Sequence, residues 1–123
     1  MPGRVQEEIA KEIGVHQPRT EDGAKMPYTD AVIHEVQRFA DIVPSNLPHA
    51  TTEDITFKGF FIPKGMQIAP LLSSDLHDES HWEKPYEFYP QRFLDAEGKF
   101  VKRNAFMPFS AGKILCTCVD FVQ

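Results

Sequence analysis

Two regions of this 123-residue sequence carry residue types at spacings that can do chemistry. The first is a cysteine, Cys116, that follows Phe109-Ser110-Ala111-Gly112-Lys113 and sits beside Ile114 and Leu115. A thiol among apolar neighbours commonly serves as a small buried hydrophobe. Here, however, Gly112 lets the backbone turn tightly four residues before the sulfur, so main-chain N–H groups can point at a thiolate. A sulfur held that way suits a metal, whose potential those hydrogen bonds would tune. Cys116-Thr117-Cys118 could instead be a zinc half-site, but no second cysteine pair completes four ligands. His34, His77 and His81 are scattered without ligand-like spacing, and there is no Cys-x-x-Cys-His run.

The second region is ionic. Glu35 and Arg38 stand three apart in "HEVQR". Alone on a helix they would form a surface pair worth a few tenths of a kcal/mol. Arg92 changes that reading, because it lies between Pro90 and Phe93 in a stretch dense in aromatic residues. A guanidinium in apolar surroundings needs a carboxylate, since an unpaired buried charge is costly. Glu35 is the candidate, and the three side chains are expected to converge.

The elements that must position these groups are legible from periodicity. Val5, Ile9 and Ile13 recur at helical spacing, and residues 14–27 then break the pattern with Gly14, Pro18 and Gly23. "YTDAVIHEVQRFA" is the strongest helix, with Thr29 as its N-cap and Val32, Val36 and Phe39 as its apolar positions. Pro44 and Pro48 imply extended chain from Asp41 to Pro48. "ITFKGFFIPKGMQIAPLL" reads as three short strands joined at Lys58-Gly59 and Pro63-Lys64-Gly65. "SSDLHDES" reads as one helical turn capped by Ser73 or Ser74. From His81 to Phe109 regular periodicity is lost while aromatics and prolines stay dense, as in irregular chain packed against a larger body.

Composition narrows the classes. At this length the chain is at most one small domain. A net charge of −5 argues against a nucleic-acid binder, which needs a basic face. Two cysteines one residue apart make no disulfide framework. No run approaches the ~20 apolar residues of a membrane helix, and the charged start is not a signal peptide.

The motifs, taken in order, resemble the C-terminal part of a cytochrome P450, a heme-thiolate monooxygenase of the microsomal drug- and fatty-acid-oxidising group. The family's E-x-x-R stands as Glu35-Val36-Gln37-Arg38, and its P-x-R-F as Pro90-Gln91-Arg92-Phe93. Its heme loop F-x-x-G-x-R-x-C-x-G stands as Phe109 to Cys118, and "MPYTDAVIHEVQRF", "FIPKG" and "RFLDAEGKF" lie between. Together they are highly specific, and the resemblance covers Arg4 to Cys116.

The resemblance implies a mainly α fold with a small β-sheet, the C-terminal portion of the P450 fold, truncated. It implies one partial domain over 1–123: helix and loop in 1–26, helix in 27–40, strands and turn in 41–80, and meander and heme loop in 81–123. Cys116 would be the axial ligand of heme b (iron protoporphyrin IX), with Phe109, Gly112 and His49 also at the cofactor. Glu35, Arg38 and Arg92 would form a structural ion network, and Val43, Ser45, Asn46 and Leu47 would line the substrate pocket. No catalytic side chain beyond the heme ligand is expected in this segment. The complete enzyme would use NADPH and O2 to oxidise lipophilic small molecules, with a cytochrome reductase as partner. It would sit on the cytosolic face of the endoplasmic reticulum, and this chain would lack the anchor. Two positions depart from the pattern: Ile114 replaces an arginine that commonly pairs with a heme propionate, and Cys118 replaces a glycine. With "VDFVQ" unlike the family's next helix, a fragment or altered terminus is expected, inactive alone. The competing expectation is a non-catalytic product that binds a partner through exposed aromatic surface.

Overall fold

The computed structural model describes residues 2–109 of the chain. Helix α1 (Pro2–Glu12) leads through a 3-10 turn (Thr20–Lys25) into helix α2 (Pro27–Ala40). Four strands of two or three residues follow: β1 (His49–Ala50), β2 (Ile55–Phe57), β3 (Phe60–Ile62) and β4 (Gln67–Ile68). A short helix α3 (Leu72–Leu76) and a second 3-10 turn (Pro90–Phe93) complete the described elements. This is the mainly helical class with a minor antiparallel sheet component that the sequence predicts. No helix among the described residues is long and apolar enough to cross a membrane.

Helix α2 organises the rest, and its entry differs from expectation. The helix starts at Pro27 with Met26 as N-cap, so Thr29 lies inside the first turn. Proline suits that first position because its missing N–H has no helical partner to lose. The free donors of the turn are taken by another helix. Glu8 of α1 accepts from the main-chain N–H of Tyr28 at 3.1 Å and of Thr29 at 2.7 Å, and from the Thr29 hydroxyl at 2.6 Å. A carboxylate at a helix N-terminus satisfies orphan donors and complements the helix dipole.

The buried face of α2 is also not the one that apolar periodicity selects. Tyr28, Ala31, His34, Glu35 and Arg38 are buried, while Val36 and Phe39 are exposed. Charge-pairing across the molecule decides this face. The apolar core is small and lies on that side: Ala31, Trp82 and Phe93, with Leu94, Phe100, Ala105 and Phe106 against them.

The strands pair in two separate ribbons rather than one three-stranded run. β2 pairs with β3 antiparallel around Lys58-Gly59, with Ile55 opposite Ile62 and Phe57 opposite Phe60. Lys58 and Gly59 both have positive φ, the conformation that a two-residue hairpin turn demands. β4 turns away from β3 at Pro63-Lys64-Gly65 and pairs with β1, placing His49 opposite Ile68. The Thr51 hydroxyl anchors that corner by donating to Pro63 O at 2.6 Å.

Three further local readings are corrected. Residues 14–27 contain the 3-10 turn, pinned by Asp22, which accepts from the Arg19 N–H at 2.9 Å. Residues 41–48 form turns, with Asp41 and Asn46 at positive φ and the Asn46 N–H donating to Val43 O at 3.1 Å. The two prolines therefore bend this segment instead of extending it. Ser73 and Ser74 lie within α3, whose N-cap is Leu71; the Ser73 hydroxyl donates instead to the Asp41 carboxylate.

Candidate functional site

Glu35, Arg38 and Arg92 meet in one buried cluster. Glu35 and Arg38 are fully buried and Arg92 is 7% exposed. Arg38, one helical turn beyond Glu35, makes a bidentate contact: Nε donates to Oε2 and Nη2 to Oε1, both at 2.9 Å. Arg92 arrives from the second 3-10 turn with Nε 3.1 Å from Glu35 Oε2. Glu35 Oε1 also accepts the main-chain N–H of Tyr89 at 2.9 Å. The spacing that alone would make a surface pair is here the closed end of a two-element clamp.

Two guanidinium groups face one carboxylate, so main-chain oxygens must take up the remaining donors. Arg38 donates to Leu76 O at 2.8 Å and Glu87 O at 3.4 Å. Arg92 donates to Glu83 O at 2.6 Å, and to Tyr89 O, Lys84 O and Glu87 O at 3.1 Å each. The loop from Glu83 to Tyr89 is folded so that its carbonyls converge on arginine, with Lys84 at positive φ. Trp82 supplies a ring face to both cations, 5.4 Å from the Arg38 guanidinium carbon and 5.9 Å from that of Arg92. Burial lowers the Arg92 pKa, opposed by the Glu35 carboxylate and assisted by Arg38. The group stays protonated throughout the physiological range. The contacts of the three side chains run to one another and to main-chain groups, an arrangement that fixes chain position.

The other predicted site residues lie elsewhere. Val43, Ser45, Asn46 and Leu47 occupy the turn after α2, with Ser45 and Leu47 exposed and Val43 and Asn46 half-buried. His49 opens β1 and is not brought to the cluster. Asn46 accepts the Leu47 N–H on Oδ1 at 2.7 Å, which leaves its Nδ2 to donate to His49 Nε2 at 3.2 Å. With Nε2 accepting, neutral His49 carries its hydrogen on Nδ1. A half-buried N–H donor suits a heme carboxylate, so the chemistry of His49 at the start of β1 fits that group. Phe109 is the last described residue and is 37% exposed. Gly112, Ile114, Cys116 and Cys118 lie outside the described residues.

Sequence reasoning missed three participants. Trp82 registers there as one aromatic among many, and only its stacking on both arginines singles it out. Glu8 caps α2 from 20 residues away, a relation without a local signal. His34, scattered by spacing, is enclosed by phenylalanines.

The cytochrome P450 family model matches residues 3–117. Cytochrome P450 2D26 of Mus musculus is 64% identical over 114 residues, covering 92% of this chain and 23% of that protein. Cytochrome P450 2D3 of Rattus norvegicus is 62% identical over the same coverage. Cytochrome P450 2K1 of Oncorhynchus mykiss is 57% identical over 113 residues, 92% of this chain and 22% of that protein. The chain thus spans somewhat under a quarter of the length of the curated relatives it matches. With its buried Glu35–Arg38–Arg92 clamp and a family match running from residue 3 through Cys116, the chain belongs to the cytochrome P450 family.

Proposed function

We propose that this chain is the thiolate-loop segment of a heme monooxygenase that oxidises lipophilic small molecules such as xenobiotics, fatty acids or steroids. The observation that carries the reading is continuity: one family match extends from α1 through the ion clamp and past Cys116. In this reading Cys116 would hold the iron of heme b, and Gly112 and Phe109 would belong to the loop that presents it. His49, with its Nε2 taken by Asn46, would offer its Nδ1–H to a heme carboxylate. Glu35, Arg38 and Arg92 fix the approach of the chain to the loop. When bound, the heme supplies the redox chemistry of oxygen insertion, with electrons from NADPH delivered by a reductase at the endoplasmic reticulum membrane. The side chain of Asn46 is already committed to His49 and Leu47, so substrate contacts from residues 43–47 would fall mainly to Val43, Ser45 and Leu47.

The test is to load the full chain with hemin, reduce it, and record the carbon-monoxide difference spectrum. A thiolate-type band that Cys116→Ser abolishes and Cys118→Ser spares is expected. A wild-type spectrum without that band would overturn the reading. A second reading, an interaction segment without turnover, draws on the exposed Phe57, Phe60 and Phe61 of the β2–β3 ribbon. It gains if the hemin-free chain pulls down a partner that Phe60→Ser no longer binds.

A further inference from the structure

His34 is the buried polar residue of α2 that the ion clamp does not use. It is 6% exposed and directly precedes Glu35. Its ring centroid lies 4.5 Å from that of Phe100, 4.8 Å from Phe106 and 5.6 Å from Phe93. Its Nδ1 is 2.8 Å from Asp30 O and 3.2 Å from Asp30 Oδ1. A carbonyl only accepts, so Nδ1 carries the hydrogen and the plane of the ring is fixed on the helix.

The three phenylalanines belong to the segment that joins the clamp to the cysteine loop. Phe93 follows Arg92, and the chain folds back on it: the Val101 N–H donates to Phe93 O at 2.8 Å, and Arg103 Nε donates to Arg92 O at 3.0 Å. Three residues past Phe106 stands Phe109, where the loop begins. Aromatic packing alone tolerates sliding among tilted arrangements. A ring tethered to α2 by a directional hydrogen bond removes that freedom. We propose that His34 is a positioning residue: it holds the segment from Phe93 to Phe106 against α2, so that the cysteine loop departs from a fixed point. Its relevance to the loop rests on the heme-thiolate reading; the latch itself does not.

Amide hydrogen exchange on the full chain tests the latch. In His34→Ala the Val101 amide is expected to exchange roughly tenfold faster, equivalent to about 1.4 kcal/mol. The Tyr89 amide, held by Glu35, should keep its protection. His34→Phe refills the space without the tether and should accelerate Val101 by a smaller factor at an unchanged melting temperature; it decides the matter if His34→Ala does not fold. Equal acceleration at Val101 and Tyr89, or none at either, would sink the proposal. In hemin-loaded samples both variants should show a weaker thiolate band than wild type. An undiminished band despite faster Val101 exchange would remove the effect on the loop. If wild type itself shows no such band, the heme reading fails, and the exchange contrast still decides the latch.

Discussion

Tyr89 donates its main-chain N–H to Oε1 of Glu35 at 2.9 Å, across 54 positions of sequence. That bond and the Arg92 contact at 3.1 Å make one carboxylate the fastening point between α2 and the aromatic irregular segment. Its removal should be severe. Glu35→Gln leaves two buried guanidinium groups without a counter-charge, and breaking a buried pair typically costs about 3–5 kcal/mol. The expected outcome is loss of the near-ultraviolet circular-dichroism signature of Trp82, which stacks on both arginines. A Glu35→Gln chain that keeps that signature and unfolds at the wild-type denaturant midpoint would contradict the fastening role.

Arg92→Lys separates charge from geometry. Lysine retains the positive charge but cannot reach four carbonyls and a carboxylate from one planar group. With the Glu83, Lys84 and Tyr89 carbonyls losing their arginine donor and Glu87 O keeping only Arg38, destabilisation of roughly 2–3 kcal/mol is expected by urea titration. A lysine variant as stable as wild type would mean that charge alone holds the loop.

The cap on α2 gives a milder expectation. Glu8→Ala strips the partner from the Tyr28 and Thr29 N–H groups, and loss of a helix N-terminal cap costs about 0.5–2 kcal/mol. Glu8→Gln keeps an acceptor and should fall between the two. If alanine and wild type melt together, water replaces the carboxylate without penalty and the capping account is wrong.

These relationships show what the sequence could and could not disclose. Helix α2, the Lys58-Gly59 turn and the candidate partnership of Glu35 with Arg92 are legible, because each rests on local spacing or on the cost of an unpaired charge. Apolar periodicity nevertheless misassigns the α2 face: Val36 and Phe39 lie outward while Glu35 and Arg38 are buried. The clamp, in which one carboxylate and five carbonyls share two arginines, outweighs the periodic signal. The pairing of β4 with β1 instead of β3 was likewise hidden, since strands of two residues carry no register. Thr29, Ser73 and Ser74 are plausible caps by type, but Glu8, Asp41 and the proline at the first helical position decide where the helices begin and what these hydroxyls bind.

Two departures from the family pattern lead to a prediction on the cysteine loop. By resemblance, Ile114 lacks the guanidinium that pairs with a heme carboxylate, a charge-assisted bond worth about 1.5–3 kcal/mol. By the same resemblance, Cys118 stands where the family has a glycine, and its side chain would add bulk there. Ile114→Arg and Cys118→Gly should each tighten hemin retention by the full chain, measured as the half-time of heme transfer to apomyoglobin. Faster loss from Ile114→Arg than from wild type would refute the assignment of that position.

Two carboxylates should respond oppositely to acid. In Asp22 the His16 ring at 3.0 Å, and after it the Arg19 N–H, hold the pKa below the ordinary 3.8. Its ionised form therefore favours the folded chain: the contribution is complete above pH 3.8 and disappears as pH falls through the lower folded value. In Asp30 burial raises the pKa above 3.8, against the pull of His34. Folding then favours the protonated form, so this group's contribution is complete below 3.8 and is lost as pH rises through the higher folded value. At pH 7 Asp22→Asn should consequently destabilise. Asp30→Asn should be neutral or stabilising, because Asp30 O still accepts from His34 Nδ1. Urea midpoints measured stepwise from pH 7 downward distinguish the two. The Asp30→Asn difference should begin to close at pH values still above 3.8, while the Asp22→Asn difference holds until the pH is below it. Parallel closure of both differences would show that burial of Asp30 and the contacts of Asp22 do not act on their carboxylates in opposite directions.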